Sequence, residues 1–398
     1  AMSSLHHSRV RHVFLKDYKR EQWYENLSSS DATGEQAGVA ASAQFLAYIH
    51  SSGSSSTVAV VPLARPGKQS TPLPVLRGHS STVTDVCFSP IDDHLVATAA
   101  ADGTAKIWTI PAGGLERDLT DCITLDAGGP LLCVRPHPCS RDIVLTVTAS
   151  AVDVWNIADP SKPALRLAHG ESAASSPLPP AEPSTPFCDA AWSYNGDELA
   201  VAQRGGHVHV VALPRAELVA SFRAHQGRQG VRIAWAARRR WLVTTGSSAA
   251  MRGEVALWDV TAVDKPLART RLDSSTKAAF PLVDDDLDFM LVVPRGSNVA
   301  LALELVGGIP YLQPINRFPL ASTARGACLL PKRAVDAMGC EVDRLLLLGR
   351  GDAVVPHRLE VPRRRKDEFQ SELFPDTAAA DPAASVAGAA WLATAAAA

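Results

Sequence analysis

Residues 78–110, GHSSTVTDVCFSPIDDHLVATAAADGTAKIWTI, alternate apolar and polar positions with a period of two, broken at Ser89-Pro90, Asp92-Asp93 and Asp102-Gly103. Val83, Val86 and Phe88 mark one strand, LVATAAA a second, and TAKIWTI, carrying Trp108, a third. Period-two runs separated by Pro and Asp-Gly predict short antiparallel strands joined by hairpins. The same rhythm recurs along the chain. QFLAYIH and TVAVVPL form an earlier hairpin, and LLCVRPH, IVLTVTA and AVDVWNI form a later unit whose Trp155 stands forty-seven residues beyond Trp108. A fourth unit spans residues 187–213, with Val211 in the tryptophan place and an Asn195-Gly196 turn. The fifth opens at His225 and ends on Trp258, again forty-seven residues beyond Val211. Two more, AAFPLV with DFMLVVP and VALALELV, then GACLLP with DRLLLLG and VVPHRLEVP, rest on alternation alone.

A Gly-His opening and a tryptophan in the third strand, inside a unit of about forty residues, mark the WD-repeat propeller blade. The spacing has a physical reason. Asp102, six residues before Trp108, sits in a turn where its carboxylate accepts turn N–H groups, and Thr98 can place its hydroxyl between the Trp108 indole and the His79 ring. Each of these groups is costly to bury alone and inexpensive once bonded. His79, Thr98, Asp102 and Trp108 therefore read as a structural tetrad, and His79 not as a catalytic base or metal ligand. The unit ending on Trp155 has Gly128-Gly129 for the Gly-His and Ala149 for the Asp, so its tetrad is expected to be lost. Counting the units gives an all-β, seven-bladed WD40 β-propeller over residues 1–362. The isolated strand RHVFL, about residues 10–15, is expected to join the last blade and close the ring, which removes a free edge. Residues 363–398, charged and then alanine-rich, form an extension outside the ring, with Phe369, Leu373, Phe374 and Trp391 as anchors onto it.

Composition narrows the function. With 46% hydrophobic and 20% charged residues the chain can bury a large core, and a net charge of -2 argues against a general nucleic-acid binder. No apolar run reaches membrane-span length and no signal peptide is read at the N-terminus. Seven scattered cysteines without a C-x-x-C fit a reducing cytosol and indicate neither zinc nor a disulfide framework. The Pro/Ser-rich stretch 171–186 reads as a solvated inter-blade insertion. No nucleophile elbow, zinc-protease helix, phosphate loop or dinucleotide fingerprint is present, so neither enzyme activity nor a cofactor is expected. Asp284, Asp285, Asp286 and Asp288 lack calcium-loop spacing and read as a charged hairpin turn.

With both ends in view the chain resembles the N-terminal propeller of a coronin. The carrying residues are RHVF at 11–14, KREQWYENL at 19–27, the GH-x-x-x-V-T-D-V-C-F-S-P block, LDSS at 272–275, LPKRAVD at 330–336 and VPRRRKDEFQSELFPDTA at 361–378. The resemblance implies a C-terminal extension packed on the underside of the propeller, binding to filamentous actin, a place in the cytoplasm on the actin cytoskeleton, and oligomerisation through a coiled coil. No heptad run follows Trp391, so that segment is expected to be missing here. One departure matters: where similar coronins carry basic residues on the actin-binding face, this chain has Ser28, Ser29, Ser30 and Asp31. Actin is acidic, so the contact is expected to move to other cations: Lys16, Lys19 and Arg20, and Arg363, Arg364, Arg365 and Lys366. Anionic phosphoinositide is a further ligand for the same clusters. The alternative is a general scaffold propeller that takes peptides from other partners.

Overall fold

The computed structural model describes residues 8–30, 35–52, 55–168, 178–179, 185–236, 240–272, 279–365 and 368–394. Its strands assemble into seven sheets, the blades of a propeller, antiparallel except where Tyr24–Glu25 runs parallel to Gly67–Lys68. The innermost strands are Val39–Ala41, Val83–Phe88, Leu131–Pro136, Phe187–Trp192, Arg232–Ala236, Ala279–Asp284 and Ala324–Leu329, one per blade from blade 1 to blade 7. Each touches the innermost strand of the next blade, and the last touches the first.

Two local features let the inner strands crowd together. Several carry a bulge at the same place, between Val83 and Asp85 in blade 2 and between Phe187 and Asp189 in blade 4. A bulge re-aims side chains and frees backbone groups from the ladder. The re-aimed carboxylates reach into the following blade, where Asp85 accepts the Val134 N–H at 3.1 Å and Asp189 the Ile233 N–H at 3.2 Å. The remaining stability comes from blade faces pressed together. Ile107 and Leu125 of blade 2 meet Leu131, Val144 and Trp155 of blade 3 in one buried cluster, the pattern expected of sheets too small to hide their own faces.

The ring is closed by Phe14–Asp17, which runs antiparallel to Ala353–Glu360 with Phe14 opposite Glu360 and Asp17 opposite His357. The closing strand starts later than the 10–15 run expected, because Val10 and Val13 turn away and bury completely between blades 6 and 7. A second stitch follows: Tyr24–Glu25 pairs with Ala353 and Val354 on one side and with Gly67–Lys68 on the other.

Beyond Val361 the chain crosses the face that carries the turns between first and second strands. Leu373 is buried in the blade 6 and 7 core with Phe374 packed beside it. Far across the ring, the helix Gly388–Ala393 places Trp391 against blades 3 and 4. Phe369 is a correction to the sequence reading: it is 55% exposed, and its ring lies beside the extension's own Phe374, with centroids 5.9 Å apart. It lies in a stretch without helix or strand, and the buried place in the core is taken by Leu373 instead.

Candidate interaction surfaces

In blade 2, Asp102 lies in the turn between Leu95–Ala100 and Thr104–Thr109, and Trp108 lies in the second of those strands. Trp108 Nε1 donates to Thr98 Oγ1 at 2.9 Å, His79 Nε2 lies 2.8 Å from the same oxygen, and His79 Nδ1 lies 3.1 Å from Asp102 Oδ2. Burial lowers the His79 pKa, against the opposing pull of Asp102. Burial pushes Asp102 up, but hydrogen bonds from Thr104 and the Ser80 N–H outweigh it and leave the carboxyl below its ordinary value. A neutral imidazole on an ionised carboxylate holds a fold together; every polar atom is already engaged.

A second such network went unread in the sequence. In blade 5, Trp258 Nε1 donates to Thr244 Oγ1 at 3.0 Å, His225 Nε2 lies 2.9 Å from it, and His225 Nδ1 lies 2.8 Å from Glu254 Oε1. The Arg269 guanidinium completes it on Glu254. Blade 3 keeps half of the arrangement, since Trp155 Nε1 still reaches Thr146 Oγ1 at 2.9 Å although no histidine stands beside it.

The inner strands carry an alternating charge chain. Arg135 of blade 3 bonds Asp85 of blade 2, Asp189 of blade 4 at 3.2 Å and Gln36 at 3.0 Å, and Arg232 of blade 5 lies 3.4 Å from Asp189. Burial opposes the charge on Arg135, yet the surrounding anions, Asp85 foremost, hold its pKa above the ordinary value. Glu35, beside Gln36, pairs with Arg204 of blade 4 at 2.5 Å. The lead-in to blade 1 is thereby tied to the opposite side of the ring.

The basic candidates fall into two groups on the outer edge of blade 7. Lys16 is exposed in the closing strand opposite Arg358. Lys19 and Arg20 are exposed just past Tyr18, whose N–H bonds Pro356 O at 3.2 Å. Arg363, Arg364 and Arg365 follow Glu360 at the other end of the same edge, more than four strand residues or roughly 15 Å away. Arg20 pairs with Glu25 at 2.9 Å, Arg363 with Glu372 at 3.1 Å and Arg365 with Glu368 at 3.0 Å, while Arg364 is exposed. Lys366 and Asp31 lie outside the described residues. Ser28 is exposed, but Ser29 and Ser30 are buried against blade 7: Arg325 donates to Ser29 Oγ at 2.9 Å and to Ser30 O at 2.6 Å, and Asp352 accepts from the Ser29 hydroxyl at 3.0 Å. A cation is thus present beside the serines, contributed from nearly three hundred residues away, where no local sequence signal could find it.

Among the described residues no helix is long and apolar enough to cross a membrane. Family models match three stretches: a domain of unknown function, DUF1899, at residues 3–68, a WD domain G-beta repeat at 70–109, and a type of WD40 repeat at 354–397. Coronin-7 of Bos taurus is 32% identical over 94% of this chain, and Coronin-2A of Homo sapiens is 28% identical over 94%. The chain belongs to the coronin family. It spans 39% of the length of the coronin-7 relative and 70% of coronin-2A. Among solved structures, the WD40 domain of Toxoplasma gondii coronin superposes with a TM-score of 0.85 at 24% identity, covering 96% of this chain and 95% of that one.

The coronin signature blocks turn out to be seams. The match at residues 3–68 runs from the closing strand through to Gly67–Lys68, so it contains both stitches of the closure except their blade 7 partner. Within KREQWYENL, Leu27 is fully buried and the Tyr24 hydroxyl donates to Leu63 O at 2.8 Å. In LPKRAVD, Lys332 pairs with Asp284 of blade 6 and lies 3.8 Å from Asp343, and Arg333 reaches Asp93 of blade 2 at 2.6 Å. Asp93 also accepts the Ala43 N–H of blade 1 at 2.7 Å. The Asp284 to Asp288 run forms the hairpin between Ala279–Asp284 and Phe289–Pro294, and its first member is half of this buried ion pair.

Proposed function

We propose that this coronin propeller binds filamentous actin in the cytoplasm, as a docking module and not as a catalyst. The kinship with coronins along 94% of the chain supports the reading. The contact is assigned to the outer edge of blade 7, where Lys16, Lys19 and Arg364 are exposed. Arg20, Arg363 and Arg365 belong to the same surface, because single exposed ion pairs are worth about 0–1 kcal/mol and exchange readily for an acidic partner. Such a contact is steered by charge and weakens as salt shortens the screening length to about 10 Å near 0.1 M.

The test is co-sedimentation with actin filaments at low salt and near 0.1 M. The chain is expected to pellet, less so at the higher salt, and the Lys16→Glu/Lys19→Glu and Arg363→Glu/Arg364→Glu/Arg365→Glu variants are each expected to pellet several-fold less. Unchanged pelleting of both variants removes the assigned surface. Failure of the unaltered chain to pellet at any salt removes actin and leaves the scaffold reading. Flotation with phosphoinositide-containing vesicles tests the anionic-lipid role of the same cations, and no binding ends it.

A further inference from the structure

Blades 3 and 4 repeat one another on the face crossed by the extension. The N–H of His137 bonds Ile143 O at 2.9 Å, and that of Ser193 bonds Glu198 O at 2.8 Å. The N–H groups of Ile157 and Leu213 bond Asp142 O and Asp197 O, each at 2.8 Å. Ser193 therefore stands where His137 does, Asp197 where Asp142 does, and Leu213 where Ile157 does, one blade further on. The tryptophans repeat as well. Trp192 Nε1 donates to Arg135 O of the preceding blade at 3.1 Å, and Trp235 Nε1 donates to Ala191 O of its own preceding blade at 2.9 Å.

The two seams share a frame but not its contents. Between blades 3 and 4 the extension's helix is seated: the Trp391 ring meets His137 edge-on at 4.9 Å and Trp192 at 6.0 Å, and the Gly388 N–H donates to Asp142 Oδ2 at 3.2 Å. Between blades 4 and 5 the matching place is a cavity of about 750 Å³, lined by Ser193, Tyr194, Asp197, Leu213, Trp235 and Arg240. A serine in place of the imidazole enlarges it. Tyr194 on its rim is 54% exposed, and Thr394, at the end of the extension's helix, also lines it.

We propose that this cavity is a docking site for a helical segment of a partner protein that presents a tryptophan three residues after a small residue. The occupant is specified by the neighbouring seam, where Gly388 and Trp391 of the chain itself have that spacing and chemistry. The volume lies in the range of sites that bury a drug-sized or side-chain-sized ligand. An indole supplies most of the contact area in such a seat, aromatic edges hold it, and Asp197 accepts the N–H of the small residue as Asp142 accepts that of Gly388. The small residue is required because the backbone approaches closely: a Cβ added at Gly388 would lie 2.9 Å from Asp142 Cβ.

The test uses the full chain and a fluorescein-labelled peptide copying residues 385–394, read by anisotropy without actin, so that its outcome is separate from that of the pelleting assay. The unaltered chain is expected to bind one peptide. The same peptide with Trp391→Ala is expected to bind at least about thirtyfold more weakly, the size of a lost aromatic anchor. Asp197→Ala in the chain, at an exposed position, is expected to weaken binding about fivefold, and Ala212→Arg, which crowds the cavity from a further residue of its wall, to abolish it. Trp391→Ala in the chain should add a second site by emptying the first seam. Binding that appears only in that last variant, or that is indifferent to both Asp197→Ala and Ala212→Arg, would overturn the proposal.

Discussion

Blades 2 and 5 meet the same burial problem with different residues. In each, an indole N–H and an imidazole share one threonine hydroxyl at 2.8–3.0 Å. They part at the other imidazole nitrogen. Asp102, in a tight turn, serves His79 while also taking the backbone N–H groups of Ser80 and Thr104. Glu254, on the strand Gly253–Asp259, serves His225 while taking the Arg269 guanidinium. One network is closed by the main chain and the other by a cation. A blade therefore does not require an aspartate in its turn; it requires a partner for an imidazole that burial has stripped of water, and a longer side chain on a strand can supply it.

The largest test removes that partner from each blade. Glu254→Ala removes at once the acceptor that His225 and Arg269 share and is expected to cost about 2–3 kcal/mol in chemical denaturation. Asp102→Ala leaves His79 Nδ1 the Thr104 hydroxyl, 3.2 Å away, and returns the exposed Ser80 N–H to water, and about 1–2 kcal/mol is expected. Equal costs would erase the distinction drawn between a cation-closed and a backbone-closed network.

Acid should sharpen what the two blades share. Burial lowers the pKa of His79 and of His225 below the usual 6.5. The unfolded chain then takes up protons first, so stability is lost as pH falls below about 6.5 and the loss stops at the folded values. Asp102 and Glu254 are also held low: burial raises each, but hydrogen bonds, from Thr104 and from His225 first, outweigh it. Their contribution is full above the ordinary 3.8 and 4.5 and is lost as the pH falls from there through their own lower folded values. Between pH 7 and 5 the loss on acidification therefore comes from histidines, including His137, which burial lowers to about 4, and it is partly opposed by Asp153, whose carboxyl burial raises to about 6. Replacing His79 and His225 by Gln should flatten denaturation midpoints across that window by about 1 kcal/mol; an unaltered slope would mean that neither ring is held neutral. The smallest effect is expected from Arg269→Lys, about 0.5 kcal/mol, because the charge on Glu254 is kept while the planar fork that also reaches Ala224 O at 2.9 Å is lost.

This contrast also explains what could be read from the chain alone. Blade 2 was legible because its polar residues sit at short, fixed offsets from Trp108. Blade 5 announced itself through His225 and Trp258, yet its network stayed hidden: Thr244 stands fourteen residues before Trp258, against ten for Thr98 and Trp108, and the acid has moved from turn to strand. For blade 3 the missing histidine suggested that nothing was left, whereas the Thr146 to Trp155 bond needs no third member. Blades 6 and 7 gave their inner three strands by alternation, since those strands are buried on both sides or one. The outermost strands, such as Ala268–Arg271 with the sequence ARTR, show no apolar rhythm because they lie at the rim. Trp391 stood out as a lone indole among alanines, but its seat on His137 and Trp192 exists only once two blades are side by side. Arg325 beside Ser29 is the same kind of fact, a contact made by topology.

The pairing of Phe14 with Glu360 joins positions 346 residues apart. A ribosome adding about 5–20 residues per second needs roughly 20–70 s to cover that interval. Throughout it, Val10, Val13 and the closing strand wait without the neighbours that will bury them, as an unpaired edge and an apolar patch of the kind that invites aggregation. The newborn circle is thus an open horseshoe for most of its synthesis, and whatever guards residues 10–17 in that minute governs how many chains reach the finished state.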